Sequence, residues 1–129
     1  MQHVTQEILS CMPIVSSTDP ERSLRFWVDG LGLAMTRPMH REGRLIGCMV
    51  HNEHLFLWLN ETPADTAPAG EGIRLYLAPS DLHALRDRLK GLGYAVSEIT
   101  DRDYGQTEFF VTDEDGHEHC VGVATSTLG

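Results

Sequence analysis

Short apolar runs with a period of two alternate with two stretches whose apolar residues recur every three or four positions, and the whole order appears twice. Residues 8–16, Ile-Leu-Ser-Cys-Met-Pro-Ile-Val-Ser, read as a first strand, with Pro13 near an edge because proline donates no ladder hydrogen bond. A helix is predicted over 20–29, with Thr18 or Asp19 as N-cap, Pro20 at its first position and Glu21 at its positive end. Leu24, Val28 and Leu31, with Phe26 or Trp27, form its apolar stripe. Gly30 and Gly32 end it, the first as a left-handed cap. Strands are expected over 33–39, 44–51 and 54–60, joined by turns at 41–43 and at Asn52-Glu53.

Residues 61–72 are rich in proline, alanine and glycine without periodicity and read as an exposed linker. The pattern then restarts. A strand over 73–78 leads to a helix capped by Ser80 or Asp81, with the stripe Leu82, Leu85, Leu89 and Leu92 and the terminators Gly91 and Gly93. Strands follow near 94–99, 107–112 and 117–123, the last two joined by the turn Asp113-Glu114-Asp115-Gly116. An offset of 61 pairs Leu24 with Leu85, Arg25 with Arg86, Val28 with Leu89 and Gly30-Leu31-Gly32 with Gly91-Leu92-Gly93. The chain is therefore read as one α+β domain, 1–129, made of two βαβββ repeats, 8–60 and 73–123. A helix covers one face of each sheet and leaves the other open. Two such units form curved mixed sheets around a cavity, within one chain or with a second.

Composition narrows the partners. A chain of 129 residues, 41% hydrophobic, is long enough to bury a core without disulfides or structural metal. Its formal charge of -9 disfavours nucleic acid and anionic membrane surfaces and favours cationic small molecules. No apolar run approaches a bilayer span and no signal-peptide pattern opens the sequence, which places the protein in the cytoplasm. Cys11, Cys48 and Cys120 lie in apolar runs and read as free buried thiols in a reducing compartment. There is no nucleophile-elbow serine, no phosphate-binding glycine loop and no paired-cysteine motif. Asp113, Glu114 and Asp115 have the ordinary chemistry of a turn rather than of a calcium loop. His51 and His54 flank a turn, and His117 and His119 share the face of the last strand opposite Cys120, which packs under helices or meets solvent.

The repeat, the segment Asp19-Pro-Glu-Arg-Ser-Leu-Arg-Phe-Trp-Val-Asp-Gly-Leu-Gly and the hairpin Glu-Phe-Phe-Val-Thr-Asp-Glu-Asp-Gly-His resemble the vicinal oxygen chelate superfamily over nearly the whole chain. That superfamily includes glyoxalases, extradiol dioxygenases, fosfomycin-resistance enzymes and bleomycin-resistance proteins. Its enzymes hold a divalent metal with His, Gln or Glu from four strand positions. The resemblance places those positions at Met12, Phe56, Arg74 and Cys120, where Met, Phe and Arg do not complete a hard-metal site. It therefore implies no metal cofactor and no catalytic residues. The size, the acidity and the approach Tyr104-Gly105-Gln106-Thr107-Glu108-Phe109 are closest to the metal-free, antibiotic-sequestering members, which bind a drug between two subunits.

On this reading the ligand-binding candidates are Met12, His54, Phe56, Trp58, Arg74, Glu108, Glu118 and Cys120. His54, Phe56 and Trp58 share a strand face by period two, and Trp58 either stacks on a planar ligand or a cation, or fills the core. Arg74 either holds a ligand carboxylate or phosphate, or pairs internally with Glu108 or Glu118. Glu108 and Glu118, if unpaired, attract a cation, and Cys120 is a small buried hydrophobe before it is a nucleophile. The expected partners are a small molecule and a second copy of the chain, with no nucleic acid and no membrane. The alternative is a lyase, isomerase or dioxygenase whose divalent-metal ligands lie one strand register away, at His54, Glu108 or Glu118.

Overall fold

Both helices begin on an aspartate whose carboxylate satisfies an orphan backbone donor. In the computed structural model, which describes residues 7–63 and 73–128, Asp19 accepts from the Arg22 N–H at 3.2 Å and Asp81 from the Ala84 N–H at 3.0 Å. Helix α1 spans Pro20–Leu24 and runs directly into a π turn, Arg25–Gly30; helix α2 spans Leu82–Gly91. The π turn changes the expected stripe. Its wider winding turns Phe26, Trp27 and Gly30 inward together and leaves Leu24, Val28 and Leu31 half-buried. Gly30 is not the left-handed cap. That conformation belongs to Gly32, at φ 77°, whereas Gly30 is a close-approach position, because a Cβ there would stand 2.9 Å from Leu89 Cδ2 of α2.

The strands form two sheets of four, in the orders β1-β4-β3-β2 and β5-β8-β7-β6. The first comprises β1 (Ile14–Ser17), β2 (Ala34–Arg41), β3 (Arg44–His51) and β4 (Phe56–Glu61). The second comprises β5 (Tyr76–Leu77), β6 (Thr100–Asp101), β7 (Gln106–Thr112) and β8 (Glu118–Ala124). In each, the strand before the helix runs parallel to the last strand, Ile14 opposite Trp58 and Tyr76 opposite Cys120, and the other pairings are antiparallel. The repeat predicted from sequence is thus present as two tandem modules, with shorter edges than expected. Residues 8–13 precede β1 as exposed chain apart from half-buried Pro13, β5 keeps two residues of the expected 73–78, and β6 replaces the strand expected over 94–99. Residues 64–72, most of the expected linker, lie outside the described residues.

The helix-covered faces carry the core: Val15, Leu57, Leu59, Cys48 and Val50 in one module, Phe109, Val111 and Val121 in the other, closed by Phe26, Trp27, Leu82 and Leu89. The modules join through these covered sides. Phe26 and Trp27 meet the His119 ring at centroid distances of 5.8 and 5.4 Å, and Arg88 Nε donates to Asp29 O at 2.8 Å. Ser23 Oγ donates to Asp115 Oδ2, and His117 Nε2 donates to Ser16 O at 2.8 Å. The turn expected at residues 113–116 forms as read: Asp113 Oδ1 accepts from the N–H groups of Asp115 and His117, and Gly116 takes φ 84°. His119 is fully buried; its Nδ1 accepts from the Leu75 N–H at 3.2 Å, so its proton sits on Nε2, which donates to Asp113 Oδ2 at 3.0 Å.

Candidate functional site

Because each helix covers only one side of its sheet, the other side is left open, and strand parity decides what it presents. In the first module Leu57 and Leu59 point under the helix, so Phe56, Trp58 and Asn60 point to the open face. β1 adds Ile14 beside Trp58, and β3 adds Met49 and Gly47. Trp58 is half-buried although no helix covers it, because it lies against Gly47: a Cβ at Gly47 would stand 2.8 Å from the indole Cζ2. The indole N–H donates to Asn60 Oδ1 at 3.2 Å, which fixes the ring in its plane. Ile14, Met39 and Phe56 around it are 61%, 54% and 38% exposed, a large apolar surface for a module face.

The open face of the second module is polar and self-paired. β7 and β8 place Glu108 opposite Gly122, Phe110 opposite Cys120 and Thr112 opposite Glu118. Glu108 is 1% exposed, and its carboxylate accepts from Tyr76 Oη at 2.9 Å, from Arg102 Nε at 3.2 Å and from Tyr104 Oη. Burial pushes the carboxyl up, but hydrogen bonds from Tyr104, Tyr76, Cys120 and Arg102 outweigh it and hold Glu108 below the usual glutamate range. Conversely, burial and then the Glu108 carboxylate push the Cys120 thiol up to about 11 and raise the Tyr76 hydroxyl. Cys120 is therefore a neutral thiol at physiological pH and not an activated nucleophile. Arg74 pairs with Glu118 at 3.0 Å, both half exposed, and its guanidinium lies 4.9 Å from the Phe110 ring centroid.

Phe56 and Trp58 thus share the first open face, and Arg74, Glu108, Glu118 and Cys120 share the second, whereas Met12 lies in the exposed chain before β1, where no strand pairing fixes its direction. His54 joins neither. β4 begins only at Phe56, so His54 sits in the turn after β3, its N–H held by Asn52 Oδ1 at 2.8 Å and its ring beside Glu53. There it lines a groove of about 780 Å³ on the covered side with Trp27, Leu33 and Leu85. Cys11 is exposed rather than buried, because the strand expected around it does not form. Tyr76, Arg102, Tyr104 and Phe110 belong to the second face and were not singled out from sequence. Phe110 and Tyr76 share the parity of Glu108 and Arg74, a signal that period two alone contained. Arg102 and Tyr104 reach the face from a turn, which no periodicity reports.

The donor set does not fit a hard divalent metal. Among the described residues no group of three or more His, Cys, Asp or Glu side chains converges, and Met12, Phe56 and Arg74 supply no ligand atom for one. Glu108 and Glu118, the carboxylates of the second face, already accept from tyrosines and arginines.

The fold recurs among solved structures. TnmS3, an antibiotic binding protein from Streptomyces sp. CB03234, superposes with a TM-score of 0.69 at 20% identity, over 92% of this chain and 99% of that one. The bleomycin-binding protein from bleomycin-producing Streptomyces verticillus, complexed with copper(II)-bleomycin, gives 0.65 at 20% identity, over 92% and 96%. The bleomycin resistance determinant encoded on the transposon Tn5 gives 0.69 at 15% identity, over 89% and 97%. No curated protein sequence matches this chain. The family model described as Glyoxalase/Bleomycin resistance protein/Dioxygenase superfamily matches residues 2–121, nearly the whole chain, and the chain belongs to that superfamily.

Proposed function

We propose that this chain is a cytoplasmic small-molecule-binding protein that sequesters an aromatic or cationic compound, such as an antibiotic, without metal chemistry and as a homodimer. The observation that carries the reading is Trp58, held in plane by Asn60 and seated on Gly47 in the middle of an exposed apolar sheet face. A fixed indole on an open face is a stacking platform for a planar ligand or a cation. The acidic charge of -9 favours a cationic ligand, while Glu108 and Glu118 of the second face are paired with Arg102 and Arg74. Solved structures of the same fold named for binding bleomycin and other antibiotics support this class of ligand.

The homodimer reading is supported by how the modules join. Their covered sides meet within one chain, and Ile14, Met39 and Phe56 remain exposed on the first open face. A second copy that sets its polar face over this apolar one encloses a cavity with Trp58 on one wall and Glu108 and Glu118 on the other. No described helix is long and apolar enough to cross a membrane.

The reading is tested by a thermal-shift screen of planar aromatic and cationic antibiotics, bleomycin among them, with EDTA throughout. Stabilisation by at least one compound, abolished by Trp58→Ala, together with a dimer by sedimentation, is the expected result. A screen without a Trp58-dependent hit overturns it.

A further inference from the structure

Glu108 combines two properties that rarely meet: its side chain is only 2% exposed, yet it stands on the face that no helix covers. One layer of side chains hides it. Tyr76, 51% exposed, crosses β8 at Gly122, where any Cβ would collide with its hydroxyl. Tyr104, 63% exposed, and Arg102 reach over from the turn between β6 and β7. That turn is closed by Arg102 N–H to Gln106 O at 2.7 Å and by Gly105 N–H to Arg102 O at 3.2 Å, with Gly105 at φ 89°. Arg102 and Tyr104 are therefore held by a rigid surface turn but free to rotate away by their own side-chain torsions.

We infer that Glu108 is a cation subsite which the chain fills with its own Arg102, and that a ligand's amidinium, guanidinium or ammonium group takes the place of Arg102 there. The inference rests on the small-molecule reading above and names the ligand class. Stripping Arg102 from Glu108 without replacement leaves a buried carboxylate short of its cation and is costly, whereas exchange for an equivalent cation changes little at the carboxylate. The gain then comes from what the cation is attached to. Phe110 supplies the adjoining surface: Arg74 lies 4.9 Å and Arg102 5.8 Å from its ring centroid, so its environment already accommodates planar cations. An aromatic amidine matches both, with the charge on Glu108 and the ring beside Phe110.

The test is calorimetric titration of the full chain with benzamidine, and with benzamide as its neutral counterpart. Arg102→Gln removes the internal competitor and is expected to bind benzamidine about tenfold tighter than wild type, as for a site whose competent state is about one-tenth populated. Tyr104→Phe loosens the same cap without removing a charge and is expected to tighten binding by a smaller factor. Glu108→Gln is expected to abolish benzamidine binding, and benzamide to bind none of the proteins. Circular dichroism establishes that each variant is folded. Unchanged or weaker binding by both cap variants, or undiminished binding by Glu108→Gln, overturns the inference. So does a complete lack of benzamidine binding, and a Trp58-dependent hit among uncharged planar compounds would then leave the broader reading standing.

Discussion

The indole of Trp58 occupies the space that a side chain at Gly47 would need: a Cβ there would lie 2.8 Å from Cζ2 and 3.2 Å from Cε2 and Nε1. A mid-strand glycine ordinarily weakens a sheet. Here it lowers the strand surface so that a large ring sits against the backbone of its neighbour, and the ring's other side remains open. Gly47→Ala is expected to lift the indole and cost about 1–3 kcal/mol in urea denaturation, as overpacking does. It should also weaken planar ligands while leaving Trp27, 1% exposed, unaffected. Acrylamide quenching reports this directly, since Trp58 is the accessible tryptophan of the pair.

The same device recurs on the second face. Gly122 lets Tyr76 cross β8 to donate to Glu108, and a Cβ at Gly122 would stand 2.8 Å from Glu108 Cβ and 3.1 Å from Thr107 O. Gly122→Ala is expected to destabilise more than Tyr76→Phe, because the Tyr76 hydroxyl, Glu108 Cβ and the Thr107 carbonyl all crowd the new methyl. Tyr76→Phe removes one charge-assisted bond and is expected to cost roughly 1.5 kcal/mol.

The Glu108 cluster sets a pH window. Glu108 has its folded pKa below the ordinary 4.5, so its contribution is complete above that value and is lost as pH falls through the folded pKa. Cys120, raised from 9.0 to about 11, gives the opposite limb: stability is present below pH 9 and declines as pH rises from there to about 11. Urea midpoints measured across pH should show both flanks, and Glu108→Gln should remove the acid flank while only reducing the alkaline one, because burial, the larger cause at Cys120 and the cause at Cys48, remains.

Asp113 ties the second module to itself. Its Oδ1 holds the turn and its Oδ2 accepts the hydrogen bond from Nε2–H of the fully buried His119. Asp113→Ala strands that donor and two backbone N–H groups, at an expected cost of about 3 kcal/mol or more. His119→Phe in turn leaves the buried Asp113 Oδ2 and the Leu75 N–H without their partner, and is expected to destabilise by a comparable amount in the same urea experiment.

Metal retention separates the binding reading from the enzymatic one. After incubation with nickel, zinc, manganese or iron(II) and desalting, elemental analysis is expected to find far less than one metal per chain, since Met12, Phe56 and Arg74 offer no ligand atoms. One metal per chain or per dimer, lost on changing Glu118 to alanine, would restore the lyase, isomerase or dioxygenase alternative.

The repeat and its order of elements were legible because helix caps, terminating glycines and strand parity are local signals, and Asp19, Asp81 and the turn at Asp113 act as those signals state. The π turn at residues 25–30 was not, since sequence spacing assumes one winding and a glycine that admits Leu89 looks the same in sequence as one that caps a helix. Parity grouped Phe56 with Trp58 and set Cys120 opposite His117 and His119, but it does not say which face a helix covers, and it failed for His54, where β4 starts two residues later than the apolar run. Arg102 and Tyr104 were invisible for a different reason: they reach Glu108 from a turn, and only three-dimensional closure brings them there.

The most direct test of metal-free binding at Trp58 is calorimetric titration of the EDTA-treated protein with 9-aminoacridine, a planar aromatic cation. Saturable binding that survives EDTA and disappears in Trp58→Ala is the expected result. Binding that needs added metal, or that is unchanged in Trp58→Ala, would contradict it.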